Sequence, residues 1–198
     1  MLLPTDTELK IIEAAKKVFK ARGYAGARMQ QIADEAGISK ASLHYYFRSK
    51  EKLFDLIFDQ TMAEFMPLIS TWEEDSTAWE QKLELFIINF FKFLQDKSML
   101  FIIQEINRNP ELLMKRKRNN GPTKNRFIAY FEKLHQAGKI NDIDPKLIFI
   151  FLHSLCVYPI LNAELFKMNT DMKDEVYKDF MSTYPEKVTK FLIETLKK

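Results

Sequence analysis

Apolar residues recur at helical spacing along most of the chain, and the polar residues between them mark where helices start and stop. Thr5 and Glu8 stand three apart, as in a capping box, ahead of Ile11, Ala15, Val18 and Phe19. Gly23 then supplies a C-terminal stop. A second, short helix is predicted from about Met29 to Ala36, ended by Gly37. Ser39 caps a third that runs to about Phe47, and "RSK" (48–50) leads into a long fourth from Lys50 towards Ile69. The periodicity breaks around "STWEEDSTAW" (70–79), which sets a domain boundary near there.

Beyond the break the pattern resumes. Thr77 and Glu80 make a second capping box, opening a fifth helix whose Leu83, Phe86, Ile87, Phe90, Phe91 and Leu94 form one wide apolar stripe. A sixth is predicted from about Ser98 to Asn107, stopped by "NRNP". "NNGPT" (119–123) precedes a seventh with Phe127, Tyr130, Phe131 and Leu134 on one side, and Gly138 ends it. Asp144 followed by Pro145, a carboxylate N-cap and then a proline at the first helical position, starts an eighth. A polar connection around 168–184, with room for one short helix, leads to a last, ninth helix after Pro185. No strand alternation, repeat or low-complexity tract interrupts this order. The fold class is all-α, with about nine helices.

Composition sharpens the picture. Forty-six per cent apolar residues supply a core, and 17 phenylalanines against five glycines and seven prolines favour helices over strands and turns. A net charge of +3 is too mild to define a polyanion partner, so a basic site must be local. The lone Cys156 excludes an intrachain disulfide and suits a reducing, cytoplasmic compartment. With only three histidines besides, no metal site and no cofactor are expected. No nucleophile–base pair or paired-carboxylate site is legible, so the chain reads as a non-enzyme; "EED" (73–75) is most simply solvated. "MLLPTDTELK" has no basic-then-apolar leader. "LIFIFLHSLCVYPILNAELF" (147–166) is as long as a membrane span, but His153, Pro159, Asn162 and Glu164 interrupt it. A helix buried on two sides, by its own domain and by a partner, explains it better, and no membrane is expected.

The chemistry concentrates in "QQIADEAGISKASLHYYF" and the "RSKEKLF" that follows. Ala33 is small where a second helix must come close, and Gly37, four residues on, permits a positive φ. Ile38 and Leu43 plug the angle between two short helices. That is the helix-turn-helix pattern, whose second helix enters the DNA major groove with its N-terminal residues foremost. Ser39, Lys40, Ala41 and Ser42, small or hydrogen-bonding, stand at that leading end. His44 and Tyr45 have the reach for sugar-phosphate oxygens. Lys50, at a helix start, and Arg28, opening the second helix, suit phosphates.

Residues 7–54 resemble the DNA-binding domain of the TetR family of bacterial transcriptional repressors. The likeness runs without a gap through "AAKKVFKARGYAGARMQQIADEAGISKASLHYYFRSKEKLF" and follows the signature I-A-x-x-A-G-[VI]-S-x-x-[ST]-L-[YH]-x-[YH]-F-x-x-K-[ED]-x-L. The resemblance implies that Gln30, Lys40, Ala41 and Ser42 meet bases, while Arg28, Ser39, His44, Tyr45 and Lys50 grip phosphates of a double-stranded operator. The chain departs from the family pattern with Ala27 and Arg28 where a threonine is common, and with His44 in place of the commoner tyrosine. The expected division is a helix-turn-helix domain over 1–54, with helix four linking on to about 70, and a helical domain over 71–198.

For the second domain the resemblance implies effector binding and dimerisation. Helix eight is apolar on more than one face, and "VTKFLIETL" (188–196) carries a stripe through Val188, Phe191, Leu192 and Thr195. Helices eight and nine from two copies would make a four-helix bundle and a homodimer. Candidate effector-lining residues are Phe86, Phe90, Phe101, Phe127, Tyr130, Phe131 and Tyr158, with Gln104, Glu105 and His153 for polarity, which suits a small, largely hydrophobic effector. Ordinary core packing is the competing reading for these rings, and a solvated loop or helix end is that for "KRKR" (115–118). The function expected is a DNA-binding transcriptional regulator: a dimeric repressor on a palindromic operator, released by its ligand. The alternative keeps the fold as a ligand-binding or protein-interaction protein without inducer-controlled DNA binding.

Overall fold

A computed structural model describes residues 5–73, 76–95, 97–111 and 125–198. The "KRKR" run lies outside the described residues. Among those described there are ten helices and no strand: α1 (Asp6–Gly26), α2 (Met29–Ala36), α3 (Lys40–Tyr46), α4 (Lys50–Ser70), α5 (Trp79–Gln95), α6 (Lys97–Arg108), α7 (Arg126–Gln136), α8 (Pro145–Leu161), α9 (Ala163–Thr170) and α10 (Asp174–Leu196). The local signals act as their chemistry dictates. Thr5 and Glu8 form the reciprocal capping box of α1. Ser39 Oγ accepts from Ser42 N at 3.0 Å to cap α3. Asp144 Oδ1 accepts from Lys146 N at 2.8 Å, with Pro145 next in line, to start α8.

Two expectations about helix ends change. Gly23 (φ 68°, ψ 168°) breaks α1 as expected, but a further helical turn follows to Gly26, so the helix is kinked there and not finished. The last helix starts at Asp174, eleven residues ahead of Pro185, and carries that proline inside it. A proline ring costs a helix one hydrogen bond. Here packing of the preceding turns outweighs it: Tyr184 meets Phe91 at 5.6 Å, Phe180 meets Phe166 at 5.9 Å, and Tyr177 Oη donates to Pro159 O at 2.7 Å. The expected polar connection over 168–184 is mostly the first half of α10, and the apolar run over 147–166 breaks at Asn162 to start α9, which Lys167 Nζ ties to α10 through Asp174.

Contacts divide the chain into two compact units. The first contains α1, α2, α3, α4 up to Glu64, and α6. Its core is Ile11, Ala15 and Phe19 of α1, Ile32 and Ala33 of α2, Leu43 of α3, Leu53, Phe54 and Ile57 of α4, and Phe101 and Ile102 of α6. Phe19 and Phe101 stack at 5.9 Å with Phe54 edge-on to both. Each such ring buried contributes about 1.5–3 kcal/mol of transfer free energy. The sequence grouped helix six with the second half of the chain; the contacts group it with α1.

The second unit contains α4 from Phe65, α5 and α7–α10. The stripe Leu83, Phe86, Ile87, Phe90, Phe91 and Leu94 is buried as its spacing predicts, with α5 packed on α8 and α10. Lys82 lies among these rings at 2% exposure. Its ammonium is satisfied by the carbonyls of Thr71 (3.1 Å) and Glu73, past the end of α4, and stands 5.3 Å from the Tyr130 ring centre. Cys156 is buried on α8, where burial pushes its thiol up to about 12, so it stays protonated.

Candidate nucleic-acid interface and effector region

The α2–α3 hairpin is closed by a Schellman motif. Ile38 N donates to Ala33 O at 3.0 Å and Gly37 N to Asp34 O at 3.1 Å, with Gly37 left-handed at φ 67°. Ala33 and Leu43 are fully buried where the two helices meet, and Ile38 is half-buried beside them. With Leu43 held inward, helical geometry turns Lys40, Ala41, Ser42, His44 and Tyr45 outward, and all five are exposed. Tyr45 stands 83% exposed, edge-on to Tyr46 at 5.3 Å. An aromatic ring left in water on a seven-residue helix finds no explanation in core packing.

Several predicted contact residues also have internal partners. Ser39 Oγ is engaged as the α3 cap and lies 2.9 Å from Ser42 Oγ, so its first role is structural. Gln30 Nε2 donates to Asp34 Oδ1 at 2.8 Å along α2. Arg28 is the N-cap of α2, and its backbone N–H donates to Gln31 Oε1 at 3.0 Å. Gln31 thus satisfies the N–H of the cap residue itself, while no side chain at position 28 caps the first N–H groups of α2 as a threonine would, and the Arg28 side chain stays exposed. Lys50, expected at a phosphate, has other partners. Its Nζ donates to Tyr24 O at 2.7 Å and Ala27 O at 3.0 Å, at the end of α1, and stands 4.5 Å above the Tyr24 ring. Arg48, which the sequence did not single out, is a further exposed cation in the turn directly after α3.

The effector candidates divide between the units. Phe101, Gln104 and Glu105 belong to α6 in the first. With Phe19, Gly23, Tyr24 and Arg108 they line a cleft of about 600 Å³ beside the α1 kink. Glu105 is 4% exposed and accepts from Arg108 Nη1 at 2.8 Å. Phe86, Phe90, Phe127, Tyr130, Phe131 and His153 come together in the second unit around Trp72 and Phe149, neither of which the sequence reading chose. Phe149, one helical turn before His153 on the same helix, was within reach of periodicity; Trp72 lay in the segment read as a boundary. The His153 ring sits 4.4 Å from Phe149 and 5.5 Å from Phe90, and burial holds its pKa below the ordinary 6.5. Tyr158 is exposed on α8, where Leu147, Ile150 and Phe151 are exposed as well. Phe191 on α10 is 54% exposed.

Among the described residues no group of three or more His, Cys, Asp or Glu side chains gathers as a metal site. No single helix there is long and apolar enough to cross a membrane; α8 and α9 pass that test only together, and they are bent by 88°.

A Schellman-closed hairpin that presents a basic, hydroxyl-bearing helix end has the geometry of a helix-turn-helix. Residues 11–57 match the family model described as "Bacterial regulatory proteins, tetR family". The chain is 27% identical over 192 residues to the HTH-type transcriptional regulator RutR of Escherichia coli K12, covering 94% of this chain and 89% of that one. It is also 27% identical over 112 residues to the fatty acid metabolism regulator protein of Bacillus subtilis, 56% of this chain and 58% of that one. Its fold matches AibR in complex with isovaleryl coenzyme A and operator DNA, with a TM-score of 0.64 at 19% identity over 78% of this chain and 86% of that one. Residues 11–57 thus carry the DNA-binding segment that the tetR-family model describes, and along the rest of its length the chain is similar to transcriptional regulators of that kind.

Proposed function

We propose that the protein is a dimeric repressor that holds a palindromic operator through the leading end of α3 and lets go when a small, largely hydrophobic effector binds its helical domain. The observation that carries the reading is the outward set Lys40, Ala41, Ser42, His44 and Tyr45 on a hairpin whose own core is closed by Ala33 and Leu43. Lys40, Ala41 and Ser42, with Gln30, are the base-reading residues; Arg28, His44 and Tyr45 hold phosphates on either side.

The effector side is the second unit, where the rings around Trp72, Phe90 and Phe149 supply apolar area and His153 and Tyr130 supply polarity. The names of the Bacillus subtilis relative and of AibR's ligand favour an acyl compound over a strongly polar one. The second copy covers the exposed Leu147, Ile150, Phe151 and Tyr158 of α8 together with Phe191 of α10, the helices predicted as eight and nine. Coupling runs along α4, which leaves the α3 turn directly and continues from one unit into the other at Glu64 and Phe65.

Footprinting tests this. A discrete palindromic site, lost on adding medium-chain acyl compounds, is the expected result. Uniform protection without sequence preference, or a site that no hydrophobic compound releases, overturns it.

A further inference from the structure

We propose that Lys50 is a positioning residue of the DNA-reading hairpin and not one of its phosphate contacts. The assignment rests on the α2–α3 hairpin being the part that meets DNA. The chain leaves α1 at Ala27, runs through α2 and α3, and returns at Lys50, the first residue of α4. The bond from Lys50 Nζ to Ala27 O, 3.0 Å across 23 residues of sequence, joins the two ends of that excursion. An ammonium has three N–H donors. Here two are spent on Tyr24 O and Ala27 O, and Ala25 O lies 3.5 Å away for the third.

The location explains the attraction. The last carbonyls of a helix have no intrahelical partner and carry the negative end of its dipole. The kink at Gly23 and the short turn after it gather those of Tyr24, Ala25 and Ala27 in one place. The Tyr24 ring, held against Phe54 at 4.9 Å, adds its face 4.5 Å below the charge. Ala27 is itself fixed, buried at 2% exposure with its N–H on Gly23 O at 3.2 Å, and the next residue opens the cap of α2. Lys50 therefore sets where α2 begins relative to where α4 begins, and hence the pose of α3 between them. The donors of this half-buried ammonium are turned back on the end of α1.

The test uses the full-length protein and a duplex that the wild type selects from a randomised pool. Lys50→Met keeps the stem and removes the charge. It should bind that duplex about tenfold more weakly at every salt concentration, the cost of one charged hydrogen-bonded group. Its slope of log affinity against log salt should match the wild type, and its circular dichroism should be native. A slope shallower by about one unit would make Lys50 a phosphate contact. Unchanged affinity with only a lowered Tm would make its role merely structural. In case the variant fails to fold, amine acetylation of the wild type followed by mass spectrometry gives an independent reading. Lys50 should be protected in free and DNA-bound protein alike; reactivity when free and protection only on DNA overturns the proposal. If instead the hairpin is not the DNA-meeting part, variants at Lys40 and Ser42 will leave affinity untouched, an outcome separate from the slope at Lys50.

Discussion

Glu105 and Gly23 meet where α6 lies against the kink of α1. A Cβ built on Gly23 would stand 3.1 Å from Glu105 Oε1 and 3.0 Å from Arg108 Nη1. The glycine is required twice over. Its backbone, φ 68° and ψ 168°, falls in a region essentially closed to side chains, and its bare face is where the buried carboxylate rests. Gly23→Ala is expected to lower stability by about 1–3 kcal/mol through backbone strain alone, more if Glu105 must move. Urea unfolding of the variant against wild type measures it.

Lys82 makes a second prediction. Its buried ammonium satisfies carbonyls of the turn after α4, so Lys82→Met leaves Thr71 O and Glu73 O without that donor. The expected loss is about 1–3 kcal/mol, the range for stranding buried polar groups. A Tm equal to that of wild type would mean that water replaces the ammonium at no cost.

The dimer prediction is made at residues exposed in the single chain. Ile150 and Phe191 are each 54% exposed, so Ile150→Glu and Phe191→Asp should leave the monomer folded. In a dimer seam the same charges would be buried without partners. Light scattering should show a wild-type dimer and monomeric variants with native circular dichroism, over an interface above roughly 1,200 Å². Variants that remain dimeric put the seam on another face.

His153 gives the pH dependence. Burial lowers its pKa below 6.5, so below that pH the unfolded chain takes up a proton that the folded chain resists. Its contribution is therefore neutral above 6.5 and destabilising as the pH falls beneath it. His153→Phe removes the titration and keeps a ring beside Phe90 and Phe149. The difference in unfolding free energy between wild type and variant should shift against the wild type between about pH 6.5 and 5. A constant difference over that range would show that the imidazole is as well solvated when folded.

Much of this was legible from residue types alone, because caps and stops act locally. Thr5, Gly37, Ser39 and Asp144 do in the structure what their chemistry dictates, and the buried stripe of α5 follows its spacing. The failures are all tertiary. Pro185 reads as a helix start until Phe180 and Tyr184 are seen packed on Phe166 and Phe91. Helix six has no sequence mark tying it to α1; its Phe101 finds Phe19 across 82 positions of chain. The bonds from Lys50 Nζ to Tyr24 O and Ala27 O were not legible either, because they depend on the kink at Gly23. Trp72 was hidden in a polar turn, and four of the candidate rings, Phe86, Phe127, Tyr130 and Phe131, pack on it.

The central claim, that the leading end of α3 reads bases, is tested most directly by selecting duplexes from a randomised pool with wild type, Lys40→Ala and Ser42→Ala. The wild type should select a two-fold symmetric sequence with half-sites about one helical turn apart or a multiple of it. Each variant should lose discrimination at one symmetry-related pair of positions, at about 1–3 kcal/mol per lost base contact, and keep the rest of the site. Both variants selecting the wild-type sequence with undiminished preference would contradict the account.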